Sequence, residues 1–130
     1  MGGAVRLATH DEAMEILGAH GVIDRLLVTP KKIIQGVPYL VNGRMLLVLI
    51  EHSNESVEAH IGEPKEYWPH IHDDINESLI FIQSLGYNRV YTNVRKSLKT
   101  TLNLLKKHEF KQVDTIQDEV ILEWESKQHY

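Results

Sequence analysis

Glu58 and His60 stand two residues apart in a run whose Val57, Ala59 and Ile61 alternate with them. A strand has a period of two, so a carboxylate and an imidazole share one of its faces and could handle a proton, directly or through water. The plainer reading is a pair of polar residues on a half-covered strand. Further on, Tyr67, Trp68, Pro69, His70, Ile71, His72, Asp73 and Asp74 follow one another. His70 and His72, with the two aspartates and with Glu58 and His60 nearby, offer the nitrogen and oxygen ligands a divalent metal takes. Their spacing matches no strong metal signature, and no metal is expected. Tyr67 and Trp68 could stack on an adenine, fill a partner's pocket, or pack over the start of the next helix. Zero cysteines exclude a thiolate nucleophile, a Cys-based zinc site and a disulfide framework.

The elements that must position these residues are legible from periodicity and punctuation. Ala4 to Ala8 reads as a short strand, and Thr9 with Glu12 forms a capping box opening a helix through His20, with Gly21 to end it. Ile23 to Gly36 is mixed: Ile23, Leu26 and Leu27 suggest a helical turn that Pro30 breaks. Asn42-Gly43 predicts a two-residue type I′ hairpin between Tyr39-Leu40-Val41 and Arg44-Met45-Leu46. Met45 to Ile50 has no polar alternate, which predicts a central strand covered on both faces. Ile71, Ile75, Leu79 and Ile82 recur at helical spacing up to Gly86, with Asp73 and Asp74 in the first turn. Arg89 to Asn93 is a strand, Ser97 is placed to cap a helix striped by Leu98, Leu102 and Leu105, and Phe110 to Val113 and Glu119 to Trp124 are two more strands.

A length of 130 residues predicts one domain, 1–130, and no apolar run approaches the roughly 20 residues that span a bilayer. Met1 to Arg6 lacks the apolar core of a secretion signal, so a soluble, cytoplasmic protein is expected, with no membrane partner. The net charge of -4 hides a segregation: acids dominate from Glu51 to Glu77, bases from Arg89 to Lys111. The basic run at Arg95, Lys96 and Lys99 lacks interleaved aromatics, and no nucleic acid is expected.

The order of elements, with the Gly86-Tyr87-Asn88-Arg89-Val90-Tyr91 entry to one strand and the Leu104-Leu105-Lys106-Lys107-His108-Glu109-Phe110 exit from the last helix, resembles the GNAT superfamily of acyl-CoA-dependent N-acyltransferases. The resemblance runs from Ala4 to Glu125. It implies an α/β (α+β) fold: a mixed, mostly antiparallel twisted sheet with helices on both faces. It also implies transfer of an acyl group from acetyl-CoA to an amine, with Glu58 or His60 as base. Ile61, Gly62, Trp68, Pro69, His70, Ile71 and His72 would meet the cofactor. The family's phosphate-binding turn, an Arg or Gln followed by x-x-Gly-x-Gly or Ala, falls on Glu66 to Ile71 and is degenerate here: Pro69 has no N–H, Ile71 adds bulk, and Asp73 and Asp74 are expected to repel phosphate at the helix mouth. The tyrosine that protonates the leaving thiolate in many members falls on Leu105, which leaves Tyr91 or Tyr67 as acid. Glu109 replaces the glycine before Phe110. The alternative is a non-catalytic GNAT-like binding or structural protein, similar in size and glycine-poor turn to small bacteriophage proteins of this kind. The sequence leaves a homodimer open.

Overall fold

A computed structural model describes residues 4–18 and 36–126. The elements run β1 (Val5–Leu7), α1 (His10–Leu17), β2 (Val37–Val41), β3 (Met45–Glu51), β4 (Ser56–Gly62), a 3-10 segment (Lys65–His70), α2 (Ile71–Ser84), β5 (Arg89–Arg95), α3 (Lys99–Lys107), β6 (Lys111–Ile116) and β7 (Glu119–Glu125). Seven strands form one sheet in the order β1-β2-β3-β4-β5-β7-β6. Every neighbouring pair is antiparallel except β4 with β5. The expected mixed, mostly antiparallel sheet is therefore present. α1 ends at Leu17 with Gly18 as its C-cap, short of the expected His20 and Gly21, and the helical turn expected at Ile23, Leu26 and Leu27 lies outside the described residues.

The apolar run of β3 is central, as its composition predicts, because its alternate residues feed two cores. Met45, Leu47 and Leu49 join Val57, Ala59, Val90, Leu122 and Trp124 on one face, with Ile82 of α2 and Leu105 of α3. Leu46 and Val48 meet Ala13 and Leu17 of α1 on the other. Helices thus cover both faces. Thr9 closes the predicted capping box: its Oγ1 accepts from the Glu12 N–H at 3.1 Å while Glu12 accepts from the Thr9 N–H at 3.0 Å.

Two local expectations are corrected. Asn42 and Gly43 take positive φ values of 51° and 70°, as the hairpin requires, but Val41 pairs with Met45 rather than Arg44. Arg44 becomes a third loop residue, its N–H donating to the Val41 carbonyl at 3.0 Å. That extra residue releases the Arg44 side chain from the strand alternation. Ser97 does not cap α3; the N-cap is Leu98, with no side-chain hydrogen bond.

At the other end of α3 the Phe110 N–H donates to the Leu105 carbonyl at 3.1 Å and the Glu109 N–H to the Lys106 carbonyl at 3.0 Å. This is a Schellman cap, completed by the contact of Leu105 and Phe110 in the core. It places Glu109 at φ 71°, the backbone angle that makes glycine the usual residue there. Glu109→Gly is expected to stabilise the protein by about 0.5–1 kcal/mol in urea titration, the relief of the left-handed strain less the entropy glycine adds to the unfolded chain.

Candidate active-site cleft

The one parallel step is also where the sheet opens. Only Ser56, Val57 and Glu58 pair with β5, opposite Arg89, Val90 and Tyr91. Both strands then continue for four residues, Ala59–Gly62 and Thr92–Arg95, with no register pair between them. A cleft of about 520 Å³ adjoins the unpaired end of β4, lined by Ile61, Gly62 and Glu63, by Trp68 from the turn and Ile71 from the start of α2, and by Thr101, Leu104 and Lys107 from α3. On β5, Thr92 Oγ1 is buried without a hydrogen-bond partner.

Strand alternation sorts the expected proton carriers to the face away from the cleft. Glu58 and His60 lie opposite Ile50 and Val48 in the β3–β4 register, on the α1 side of the sheet. Glu58 Oε1 meets His52 Nε2 at 3.1 Å, and Glu58 Oε2 meets the buried His60 Nε2. Tyr91, beside Glu58 across β4 and β5, stacks on His52 with ring centroids 6.1 Å apart. The Glu123 carboxylate, together with burial, raises the Tyr91 phenol above its ordinary pKa. His52 was not singled out by sequence, since it sits in the β3–β4 turn rather than on a strand face.

The glycine-free turn is a 3-10 segment leading straight into α2. Its hydrogen bonds are internal: the Tyr67 N–H donates to the Pro64 carbonyl at 2.9 Å, and the Ile71 N–H to the Trp68 carbonyl. Pro69 has no N–H to give. Trp68 is oriented by its indole N–H, which donates to the Glu63 carbonyl at 2.9 Å. His70 and Pro69 are exposed and do not line the cleft. His72 does; its Nδ1 lies 2.9 Å from Nε2 of His108 at the end of α3, the rings stacked 5.0 Å apart. Burial, and then the neighbouring His72, lower the His108 pKa. His72 thus meets His108 rather than His70, and among the described residues no group of three or more His, Asp or Glu is arranged to hold a metal ion.

Asp74 overturns an electrostatic expectation. It does not face a phosphate at the helix mouth but is fully buried, accepting from Arg44 Nε at 2.8 Å, Arg44 Nη2 at 2.9 Å and Asn42 Nδ2 at 2.7 Å. Burial pushes its pKa up, yet the hydrogen bonds from Arg44, Glu63 and Asn42 win, and it stays below the ordinary carboxyl value. The charge is thus matched within the protein, and only the exposed Asp73 is left at the helix entrance.

The remaining member of this group is Glu63, which sequence reading passed over. It is 5 % exposed, and neither carboxyl oxygen accepts a hydrogen bond from an N–H donor; Arg44 Nε is 3.7 Å away, and the one polar partner of Glu63 is the Asp74 carboxylate, to which the protonated acid donates. Burial first, and then the adjacent Asp74, push its pKa up to about 9, so it is a neutral acid at pH 7. The folded chain then holds a proton that the unfolded chain releases above its ordinary value of 4.5. Glu63 accordingly weakens the fold as pH rises from about 4.5 through about 9. Glu63→Gln, of like shape and uncharged, is expected to raise the melting temperature, and by more at pH 9 than at pH 5; a gain equal at both pH values would remove Glu63 from the pH dependence.

The backbone defines the class: a mixed sheet opened at its single parallel step, with helices on both faces. No family model and no curated protein sequence matches the chain. Solved structures do. Ard1 from Thermoplasma volcanium superposes with a TM-score of 0.73 at 11 % identity, over 95 % of this chain and 97 % of that one. The Campylobacter jejuni N-acetyltransferase PseH gives 0.69 at 15 %, over 94 % and 98 %. A GNAT family acetyltransferase from Elizabethkingia anophelis, solved with acetyl-CoA bound, gives 0.66 at 16 %, over 93 % and 96 %. The chain has the GNAT fold, as its resemblance implied.

Proposed function

We propose that this protein is an acyl-CoA-dependent N-acyltransferase that takes acetyl-CoA as donor and an amine as acceptor. The observation that carries the reading is the cleft beside the end of β4, where its pairing with β5 has stopped. The Elizabethkingia relative in fold holds acetyl-CoA. In this reading the slender acyl arm enters the opening, where backbone groups of Ile61 and Gly62 face it, while Trp68, Ile71 and His72 form its outer wall. Phosphates meet side chains rather than a backbone cradle, with His72 and Lys107 at the rim supplying the donors.

The acceptor approaches the other face of β4. Glu58, held between His52 and His60, takes the ammonium's proton, directly or through water, and the freed lone pair attacks the thioester carbonyl. His60 keeps the carboxylate oriented. Tyr91, its pKa raised beside Glu123, is a reluctant acid and serves better to position the acceptor.

Melting the protein with and without millimolar acetyl-CoA tests the reading. A ligand at about 100 times its Kd stabilises the folded state by about 2.7 kcal/mol, a shift of several degrees in a chain of this length. No shift with acetyl-CoA, other acyl-CoAs or free CoA would leave the non-catalytic binding or structural role.

A further inference from the structure

Acyl transfer from a thioester needs a proton for the departing sulfur, and the position on α3 where the resemblance places its donor does not supply it. Leu105, where the GNAT resemblance places a tyrosine, is 3 % exposed and belongs to the core. Tyr91 lies on the acceptor face of the sheet. Among the residues lining the cleft there is one carboxyl, Glu63.

Its setting is anomalous. A buried carboxyl whose oxygens no N–H donor reaches, and whose only polar partner is a second carboxyl, weakens a fold, and such groups are uncommon in native proteins unless they serve a function. The surroundings explain how it persists without losing its proton. Arg44 is engaged twice by Asp74, at 2.8 and 2.9 Å, and stands 3.7 Å from Glu63. Asp74 also takes the Asn42 amide. The local positive charge is therefore matched by Asp74 alone, and a second carboxylate beside it would be uncompensated. Glu63 is held neutral by its neighbours and borders the space where a ligand would lie.

We propose that Glu63 is the acid of this site, giving its proton to the sulfur of the leaving coenzyme; the inference rests on the acyltransferase reading above. Strand alternation places Glu58 and His60 on one face of β4 and Ile61 and Glu63 on the other, so the base and the acid flank the strand that carries the thioester. The steps balance. The carbonyl carbon gains a bond to nitrogen and loses its bond to sulfur; the ammonium nitrogen sheds two protons over the cycle, the sulfur gains one from Glu63, and water restores Glu63 through the cleft as one net proton is released. A carboxyl with a pKa raised toward that of a thiol is well matched to this task, because it is protonated at neutral pH and gives up its proton as thiolate character develops.

The test uses infrared difference spectroscopy of the full chain, so the unidentified amine is not needed. Wild type minus Glu63→Gln at pH 7 is expected to show the carbonyl stretch of a protonated carboxyl. Adding free CoA should shift that band, whereas 3′,5′-ADP, which lacks the thiol arm, should leave it in place. Absence of the band, or a band unmoved by CoA when CoA still raises the melting temperature, would overturn the assignment and leave the acyltransferase reading standing. A protein whose melting temperature responds to no CoA species would overturn both. Once an acceptor is found, Glu63→Gln is expected to lower kcat at least tenfold with the KM for acetyl-CoA unchanged, and to lose less with an acyl donor whose thiol is more acidic. An equal loss with both donors would also overturn the proposal.

Discussion

Replacing Arg44 with methionine is expected to cost the fold about 3 kcal/mol, the low end for breaking a buried charge pair, because water reaches part of the arginine side chain. Methionine keeps much of the stem and removes only the guanidinium. Asp74, with no exposed surface, would keep only the neutral donors Asn42 and protonated Glu63, in a site with no cation. The first turn of α2 would then be held to the β2–β3 hairpin by one hydrogen bond instead of three. Urea titration checks the figure. A double change of Arg44→Met with Asp74→Leu should recover most of the loss, since a buried pair replaced by apolar groups is often neutral while a broken pair is not. A single variant within about 1 kcal/mol of wild type would show that the pair is not what fastens α2.

Changing Glu58 to glutamine is expected to lower turnover by about 10²–10⁴-fold, the range for removing a general base, once an acceptor amine has been identified. The amide keeps the shape and can still meet one imidazole, so the fold should survive. Acetyl-CoA should raise the melting temperature of this variant as much as that of wild type, because Glu58 lies on the face of β4 away from the cleft. Unchanged turnover would take Glu58 out of the mechanism. A lost melting shift would mean that the substitution had damaged the cleft rather than the chemistry.

What the sequence made legible follows the range over which its signals act. The capping box, the central β3 and the alternation of Glu58 with Ala59 are local patterns, and each is present in the fold; the Asn42-Gly43 signal placed its hairpin but missed the third loop residue, Arg44. The Arg44 side chain reaches a residue 30 positions away, and His72 meets a partner 36 positions away; no local period encodes either contact. The electrostatic expectation at Asp74 failed for that reason. It treated a carboxylate in a first helical turn as facing solvent, while one additional loop residue had already turned an arginine toward it. Glu63 was hidden differently. It continues the alternation of Ile61 past the end of β4, so its inward direction was readable, but its isolation from hydrogen-bond donors depends on how Arg44 is shared.

The early end of pairing between β4 and β5 also makes the site visible to hydrogen exchange. Amides of Ala59–Gly62 and Thr92–Arg95 that point into the gap meet no neighbouring strand there, so their protons should exchange with deuterium faster than those of β5 directed toward β7. A molecule that fills the gap with carbonyl acceptors would act as a borrowed strand, slowing exchange along that one line of the sheet and leaving the rest unchanged. The break in the ladder is thus a readout of occupancy written into the backbone, independent of which side chains the ligand touches.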